Sequence, residues 1–384
     1  MARIEAVLVP NAARADRACR SRWWRQLTRE LLVLFAFSLA VSLVLDVQLR
    51  QWGAPQGNPR FDLMHLLEGT ADKPWAFRIL VPQAVKHSHA ALPESMRRAL
   101  SNERIAAKID ERYWQGYAAD RSGKTELIEK YVLVVLAMYA AYLGLMYVLR
   151  ALTIDRLGGS SAFSNLAPLG FALLLPLTFV NGSYFYDPVE LLFISLFVLS
   201  LLRERLVWAL AAVVLAILNK ESGLLLPVVF LPMLVLQRPW RIALRRYALL
   251  QSVAVCAYLF VRVFAADSPA GIVVYQLPSN LRFWSDWHSY FLVFGVYNAV
   301  IPAPRGLNVI TLVLVAMLLG FNRWRDWPFW SLVSAAIVSL PLFLLFCFHD
   351  ELRNLSFLFV PLYLVLVKVV HGLWDESREA PPYA

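Results

Sequence analysis

The stretch LAILNKESGLLLP, from Leu215 to Pro227, places a lysine beside a glutamate inside otherwise apolar sequence. Between residues 206 and 236, only positions 219–222 are polar, and one helix of that length would reach roughly 46 Å. A bilayer core is only about 30 Å thick. The stretch therefore predicts a helical hairpin with arms of about 13 residues, which holds Lys220 and Glu221 in a recess below the membrane surface. The alternative is a tight interfacial turn from which both side chains reach outward to water.

The composition predicts an integral membrane protein. Of the 384 residues, 59% are hydrophobic and 17% are charged, and the mean hydropathy is +0.55, beyond the apolar share of soluble domains. About ten apolar segments are long enough to suggest spans, near residues 31–49, 131–149, 164–180, 189–202, 206–218, 223–237, 246–265, 306–321, 328–348 and 355–371. We therefore expect an all-α, polytopic transmembrane helix bundle. No Gly-rich nucleotide motif or C-x-x-C pair points to a soluble cofactor fold.

The distribution of arginine predicts the orientation. A net charge of +10 fits short cytoplasmic loops that collect basic residues, so no nucleic-acid partner is implied. We expect a basic cytoplasmic tail at 1–30, a transmembrane domain at 31–371 and a second cytoplasmic tail at 372–384. Alternate loops agree, with arginines at 150 and 156, 203 and 205, 238–246, and 323 and 325.

The opposite face then receives the unusual polar residues. The external segment 46–128 is amphipathic and predicts two interfacial helices, over 61–92 and 102–119. The apolar run 291–302 is too short to span and is expected in the outer interface. The external candidates for chemistry are Asp62, Glu68, Arg78, Asp187, Lys220, Glu221, Trp284, Trp287, His349, Glu351 and Arg353.

Several of these candidates also have a purely structural interpretation. Asp62 and Asp187 each sit where a helix begins, so either can be an N-cap carboxylate. Trp284 and Trp287 fit a sugar-binding surface, and equally fit the aromatic belt at a membrane interface. The histidines of KHSHA, at positions 86–90, are expected on a solvated helix face.

The layout resembles a known family. A cytoplasmic tail, one span, a large external segment with a carboxylate and interfacial helices, and then further spans resemble the GT-C glycosyltransferases, which use polyprenyl-phosphate-linked sugars. FDLMH…FRILVP, YFYDP, NKES and HDELRN carry the resemblance. It implies a bacterial inner-membrane enzyme with an external active site and with Asp62 as base. The acidic pair common in that family is missing here, so Glu68 and Asp46 stay open as alternatives.

Transfer of a sugar from a lipid phosphate needs a base for the acceptor hydroxyl and cations for the departing phosphate. Asp62 is the predicted base, and the predicted phosphate ligands are Arg78, Lys220, His349 and Arg353. Acceptor or sugar contacts are assigned to Asp187, Glu221, Glu351, Trp284 and Trp287. The expected partners are a polyprenyl-phosphate-linked sugar, an acceptor that is a glycan, lipid or protein, and membrane lipids.

Three other functions stay open. One is another lipid-linked transferase, the second is a polytopic transporter or flippase in which Lys220 and Glu221 act as a coupling pair, and the third is a non-catalytic assembly subunit. No repeated half is visible, although common secondary carriers have one, and the polar residues gather on one face. No cofactor is required by the residues, no metal-ligating set is predicted, and a divalent cation stays open.

Overall fold

The computed structural model describes residues 5–51, 62–113, 124–158, 162–179, 182–271, 274–294, 299–303, 306–323, 326–349 and 351–379. About 83% of it is helical. The α-helices are α1 (Glu5–Gln51), α2 (Leu63–Glu68), α3 (Leu80–Ala91), α4 (Glu94–Leu100), α5 (Glu103–Arg112), α6 (Lys124–Leu157), α7 (Ala162–Leu174), α8 (Asp187–Leu202), α9 (Leu206–Asn219), α10 (Leu226–Val229), α11 (Leu231–Gln237), α12 (Trp240–Phe264), α13 (Leu277–Ser285), α14 (Gly306–Arg323), α15 (Trp327–Phe346) and α16 (Ser356–Glu379). Short 3-10 helices cover Trp75–Phe77, Leu175–Thr178, Glu221–Leu225, Trp287–Tyr290 and Leu352–Leu355.

Helices with membrane-spanning length and composition confirm the membrane class. Within the described residues, five helical segments are long and apolar enough to cross a bilayer: Trp23–Arg50, Thr125–Leu157, Trp240–Phe264, Trp327–Phe346 and Leu352–Leu373. The ten apolar segments predicted from hydropathy lie mostly on helices in the described residues, but five of them lie on shorter helices than a span requires. Many large apolar side chains on α1, α12 and α14 are exposed, as expected of surfaces that face lipid.

The stretch that contains Lys220 forms the predicted helical hairpin. Helix α9 ends at Asn219, Lys220 is extended with φ −158° and ψ 131°, and the chain returns through the 3-10 helix, α10 and α11. Gly223 allows the return segment to pack directly on α9. A Cβ at Gly223 would lie 2.8 Å from both the Ala216 carbonyl carbon and the Ile217 nitrogen, so a side chain there cannot be accommodated without a shift.

The segment 46–128, which was predicted to be external, departs from the prediction of two helices, and its residues 52–61 and 114–123 lie outside the described ranges. It contains α2, one 3-10 turn, α3, α4 and α5, because the sequence interrupts the helical pattern. Gly69 ends α2 with a left-handed φ of 77°, which glycine adopts without steric cost. Pro74 and Pro93 directly precede the next helices, since a proline cannot continue the preceding one.

The apolar run at 291–302 contains a pair of antiparallel strands, so the all-α prediction is incomplete at this point. Strand β1 (Phe291–Phe294) pairs antiparallel with β2 (Ala299–Pro302), and Phe291 lies opposite Pro302. Each strand has four residues, fewer than a strand needs to cross a bilayer core. That the run lies in the outer interface and does not span stays a prediction. Its β-branched and aromatic residues favour paired strands over a helix.

Ion pairs connect the helix ends that the arginine pattern assigns to the cytoplasm. Arg150 contacts both oxygens of Glu30 at 2.7 Å. Further pairs join Arg203 to Asp155 at 2.7 Å, Arg238 to Glu204 at 3.1 Å, and both Arg156 and Lys368 to Asp326. These contacts bring the predicted cytoplasmic loops together at one end of the bundle.

Candidate functional site

A cluster of buried and half-buried charged side chains lies where α8, the α9 hairpin and the start of α16 meet. The seven members of this charged cluster are Arg78, Asp187, Glu190, Lys220, Glu221, Glu351 and Arg353. Three cations and four carboxylates give a formal charge of 3 − 4 = −1. Six of the seven were predicted from the sequence as site residues, although they are spread over nearly 280 residues of chain.

Lys220 is bound on several sides. Its amino group donates to Glu190 Oε2 at 2.8 Å and to Asn354 Oδ1 at 3.3 Å, and it lies 3.8 Å from Asp187 Oδ1. The second oxygen of Glu190 accepts from Ser222 at 2.8 Å. Two carboxylates, those of Glu190 and Asp187, thus face the Lys220 amino group and favour its protonated form.

Arg353 fixes Asp187 from the opposite side. Its guanidinium donates to the Gly182 carbonyl at 2.7 Å and to Glu351 at 2.9 Å, and Nε lies 3.3 Å from Asp187 Oδ2. That Asp187 oxygen also accepts from the backbone N–H of Tyr184 at 2.8 Å. Asp187 is the first residue of α8 and binds backbone that precedes the helix, so its interpretation as an N-cap carboxylate is wrong.

Two stacked tyrosines separate Arg353 from Arg78. The rings of Tyr184 and Tyr186 are 5.1 Å apart and within 9° of parallel. Arg78 lies 4.1 Å from the centre of the Tyr186 ring, and Arg353 lies 4.9 Å from that of Tyr184. Each guanidinium thus has a cation–π contact. The motif YFYDP suggested only Asp187, because tyrosines near a membrane interface are common.

Arg78 and Glu221 are the least satisfied pair in the cluster. The Arg78 side chain is only 9% exposed, and it donates to the Tyr186 hydroxyl. Its NH2 lies 3.6 Å from Glu221 Oε1, beyond hydrogen-bond distance, and its Nε has no hydrogen-bond partner among the described residues. Glu221 is 27% exposed, and its Oε2 also lacks one within the described part of the chain. A buried guanidinium in this state favours an anionic ligand.

A hydrogen-bonded chain that the sequence interpretation missed supports Asp187. The Tyr142 hydroxyl donates to Gln48 Oε1 at 2.6 Å, and Gln48 Nε2 donates to the Tyr184 carbonyl at 3.1 Å and to Ser183. Ser183 in turn donates to Asp187 at 3.3 Å. The available signal was a single glutamine near the end of the first span, since an intramembrane polar residue usually has a partner.

Glu190 was also missed, although it is the nearest partner of Lys220. It lies in the first turn of α8 and is 2% exposed. Its presence at the start of an apolar segment was the signal, because a buried carboxylate requires a cation. Asn219 is a further missed residue, and its amide donates to the Tyr186 carbonyl at 2.8 Å.

The predicted bases lie outside the contacts of the charged cluster. Asp62 precedes α2, is 7% exposed and lies 3.8 Å from His65 Nδ1. It makes no side-chain cap bond, and Oδ1 has no hydrogen-bond partner within the described ranges. Glu68 is exposed at the end of α2. Asp46 is bound by Tyr113 at 2.8 Å and by Arg50 at 2.9 Å.

The remaining predicted residues make aromatic contacts. His349 stacks on Phe283 with ring centres 3.9 Å apart. Trp284 packs edge-on against Phe343 at 6.4 Å. Trp287 is 56% exposed and lies against His288. In the described residues, the ring partners Phe283, Phe343 and His288 all lie outside the charged cluster.

One histidine differs from its predicted setting. His89 of KHSHA is buried, and its Nε2 lies 2.7 Å from Glu129 on α6. Glu129 also accepts from Ser101 at 3.0 Å. The expectation of a solvated face is therefore wrong for His89, which ties α3 to α6.

An apolar groove runs along α7, α14 and α16. It has a volume of about 930 Å³, and its walls include Phe171, Leu174, Leu362 and Leu366. Thr178 and Phe359 line it as well. Thr178 precedes Gly182 by four residues, and the Gly182 carbonyl accepts a hydrogen bond from Arg353 of the charged cluster. Phe359 follows Arg353 by six residues. One part of the groove therefore lies close in sequence to the charged cluster.

Together these features define a nearly all-α membrane protein with a buried, densely paired charged cluster at one end of its bundle. Comparison with models of known protein families, with curated proteins and with solved structures finds no match. Among the described residues, no group of three or more His, Cys, Asp or Glu side chains is arranged to hold a metal ion.

Proposed function

We propose that the protein is a membrane glycosyltransferase that moves a sugar from a polyprenyl-phosphate donor to an acceptor on the external face of a bacterial inner membrane. The single observation that carries the proposal is the Arg78 guanidinium, which is buried but only partly hydrogen-bonded. A phosphate oxygen would supply the acceptors that this guanidinium lacks. Stacking on Tyr186 keeps the guanidinium plane in place before the donor arrives.

Lys220 and Arg353 have a different part in this proposal from Arg78. Each already binds carboxylates at 2.8–2.9 Å, so a phosphate would have to displace those contacts. They hold Asp187, Glu190 and Glu351 in place and add positive charge behind Arg78. Removal of either should therefore affect folding as well as donor binding.

Asp62 is the proposed base for the acceptor hydroxyl. Its carboxylate is shielded from bulk water and keeps one oxygen without a hydrogen-bond partner among the described residues. An oxygen in that state can accept a proton without first losing a bond. Glu221, on the more open side of the charged cluster, is proposed to bind the acceptor or the sugar.

The apolar groove along α7, α14 and α16 supports a lipid-linked donor. A chain of isoprene units is fully apolar, and the groove offers a long apolar wall. Pockets of roughly 300–1,000 Å³ are typical of small-molecule sites.

The net charge of −1 in the charged cluster is the observation that favours the alternative, a transporter in which Lys220 exchanges carboxylate partners.

Donor binding and turnover on purified variants test the proposal, with polyprenyl phosphate as the binding probe and a panel of its sugar conjugates as donors. Arg78→Gln should weaken binding of polyprenyl phosphate by about tenfold or more, because a charged hydrogen bond contributes roughly 1.5–3 kcal/mol. Asp62→Asn should lower turnover by about 10²-fold while donor binding is kept.

The matched control is Arg98→Gln, which removes an exposed arginine that pairs with Glu94 in the same predicted external segment. It should leave both quantities unchanged. Unchanged donor affinity in Arg78→Gln would end the phosphate assignment, and full turnover in Asp62→Asn would remove Asp62 from the mechanism. Transport of the lipid without sugar transfer would favour the alternative.

A further inference from the structure

Glu221 differs from the other three carboxylates of the charged cluster. Each of those accepts a hydrogen bond of 2.9 Å or shorter, from the Tyr184 N–H, from Lys220 or from Arg353. Among the described residues, the Glu221 side chain makes only a 3.6 Å contact with Arg78 NH2, and its Oε2 has no hydrogen-bond partner. Glu221 therefore keeps acceptor capacity that the fold does not use.

Glu221 also lies at the most open edge of the charged cluster. Its side chain is 27% exposed, compared with 18% for Glu351, and the other five members are less than 10% exposed. It follows Lys220 in the turn of the hairpin, and Arg78 directly follows the 3-10 helix before α3. A ligand that enters from this edge therefore meets Glu221 and Arg78 before it meets the buried pairs.

A ligand that carries only a phosphate conflicts with Glu221. The phosphate would bind Arg78, whose Nε lacks a hydrogen-bond partner within the described ranges. Because Glu221 Oε1 lies only 3.6 Å from Arg78 NH2, the phosphate charge would come close to the Glu221 carboxylate. Like charges at such distances repel each other, and partial burial strengthens the repulsion.

An ammonium group in the same ligand removes this conflict. The charged cluster has a formal charge of −1, so a phosphate with one negative charge gives −1 − 1 = −2. A primary ammonium returns the total to −1 and supplies N–H donors to the Glu221 carboxylate, as a charge-assisted hydrogen bond. Complementary charges of this kind determine which ligand is accepted more than how tightly it binds.

We propose that Arg78 and Glu221 together select a zwitterionic lipid phosphate, with the phosphate on Arg78 and a primary ammonium group of the head on Glu221. Because Arg78 is the proposed phosphate ligand, this ligand class rests on the proposed function. Two kinds of lipid have the required chemistry. One is a polyprenyl phosphate that carries an amino sugar, and the other is phosphatidylethanolamine, which fits the alternative of another lipid-linked transferase.

Binding of matched lipid pairs to the purified protein in detergent tests the selection. The two members of a pair differ only at the amino group, which is free in one and N-acetylated in the other. One pair is a polyprenyl-phosphate amino sugar, and the second is phosphatidylethanolamine. We expect the free amine to bind about tenfold more tightly, as one charge-assisted hydrogen bond predicts. A preference in the first pair identifies a sugar donor, and a preference in the second pair alone identifies a phospholipid.

Glu221→Gln tests whether the preference comes from charge or from the bulk of the acetyl group. The variant keeps the shape of the side chain but should lose the preference for the free amine. It should also bind polyprenyl phosphate without a sugar about threefold to tenfold more tightly than the wild-type protein does, because the repulsion is removed. The matched control is Glu103→Gln, an exposed carboxylate at the start of α5, which should keep the wild-type preference.

Equal affinity of the wild-type protein for free and acetylated amines in both pairs would overturn the proposal. So would a Glu221→Gln variant that keeps the preference, or one that gains no affinity for polyprenyl phosphate. Failure of the proposed function gives a different result, since polyprenyl phosphate would then bind equally to the wild-type protein and to Arg78→Gln.

Discussion

The amino group of Lys220 lies 2.8 Å from Glu190 Oε2, and the side chains are only 7% and 3% exposed. Glu190 lies in the first turn of α8, and Lys220 directly follows α9. The pair therefore joins the turn of the hairpin to the start of α8.

Lys220→Ala should reduce stability strongly, because it leaves Glu190 buried without its cation. Breaking one side of a buried pair costs about 3–5 kcal/mol. The double variant Lys220→Met with Glu190→Gln should lose less than Lys220→Ala alone, since the glutamine can still accept from Ser222. Thermal unfolding in detergent measures both. Arg98→Ala, which breaks an exposed pair, should change little, and an equally small effect of Lys220→Ala would contradict the prediction.

Tyr186→Phe should weaken donor binding. The substitution keeps the ring between Arg78 and Tyr184 but removes the hydroxyl that accepts from Arg78. The guanidinium is then no longer held in one position before the donor arrives, so we expect affinity for polyprenyl phosphate to fall by about three- to tenfold. Tyr139→Phe on α6 is the matched control and should bind normally. A melting temperature lowered in parallel with affinity would instead assign Tyr186 a structural role.

Gly223→Ala should destabilise the hairpin. The new Cβ would lie 2.8 Å from backbone atoms of residues 216 and 217, and overpacking of this kind costs about 1–3 kcal/mol. Gly170→Ala provides the comparison, because nothing lies within 4 Å of a Cβ at that helical position. It should be neutral or stabilising by up to about 1 kcal/mol. Unfolding curves of the two variants in the same detergent should diverge, and coincident curves would refute the close-packing argument.

Cysteine labelling should place residues 300 and 322 on opposite sides of the membrane. After the three native cysteines are replaced, a cysteine at Val300, which is 52% exposed on β2, should react with an impermeant maleimide in intact cells. A cysteine at Asn322, at the end of α14, should react only after lysis. If position 322 reacts from outside, the predicted orientation is reversed for everything after residue 302.

Much of the fold could be predicted because hydropathy and helix length are properties of local sequence. The break at 219–222 required a hairpin for reasons of length alone, and the structure confirms it. The strand pair within 291–302 was not predicted, because a short apolar run does not distinguish a strand from a helix. Gly69 and Pro93 signal that the predicted external segment is divided into several short helices. The amphipathic pattern on both sides of each residue obscured these breaks.

The sequence by itself determined which residues are chemically unusual, since a charge in apolar sequence requires a partner wherever it lies. Only the tertiary structure decided the partners. Lys220 pairs with Glu190 and not with its neighbour Glu221, because the turn after α9 directs the two side chains to different groups. Arg78 donates a hydrogen bond to Tyr186, which lies 108 residues later in the chain. Such contacts depend on how helices are rotated and packed against each other, and the hydropathy of a segment does not specify that rotation.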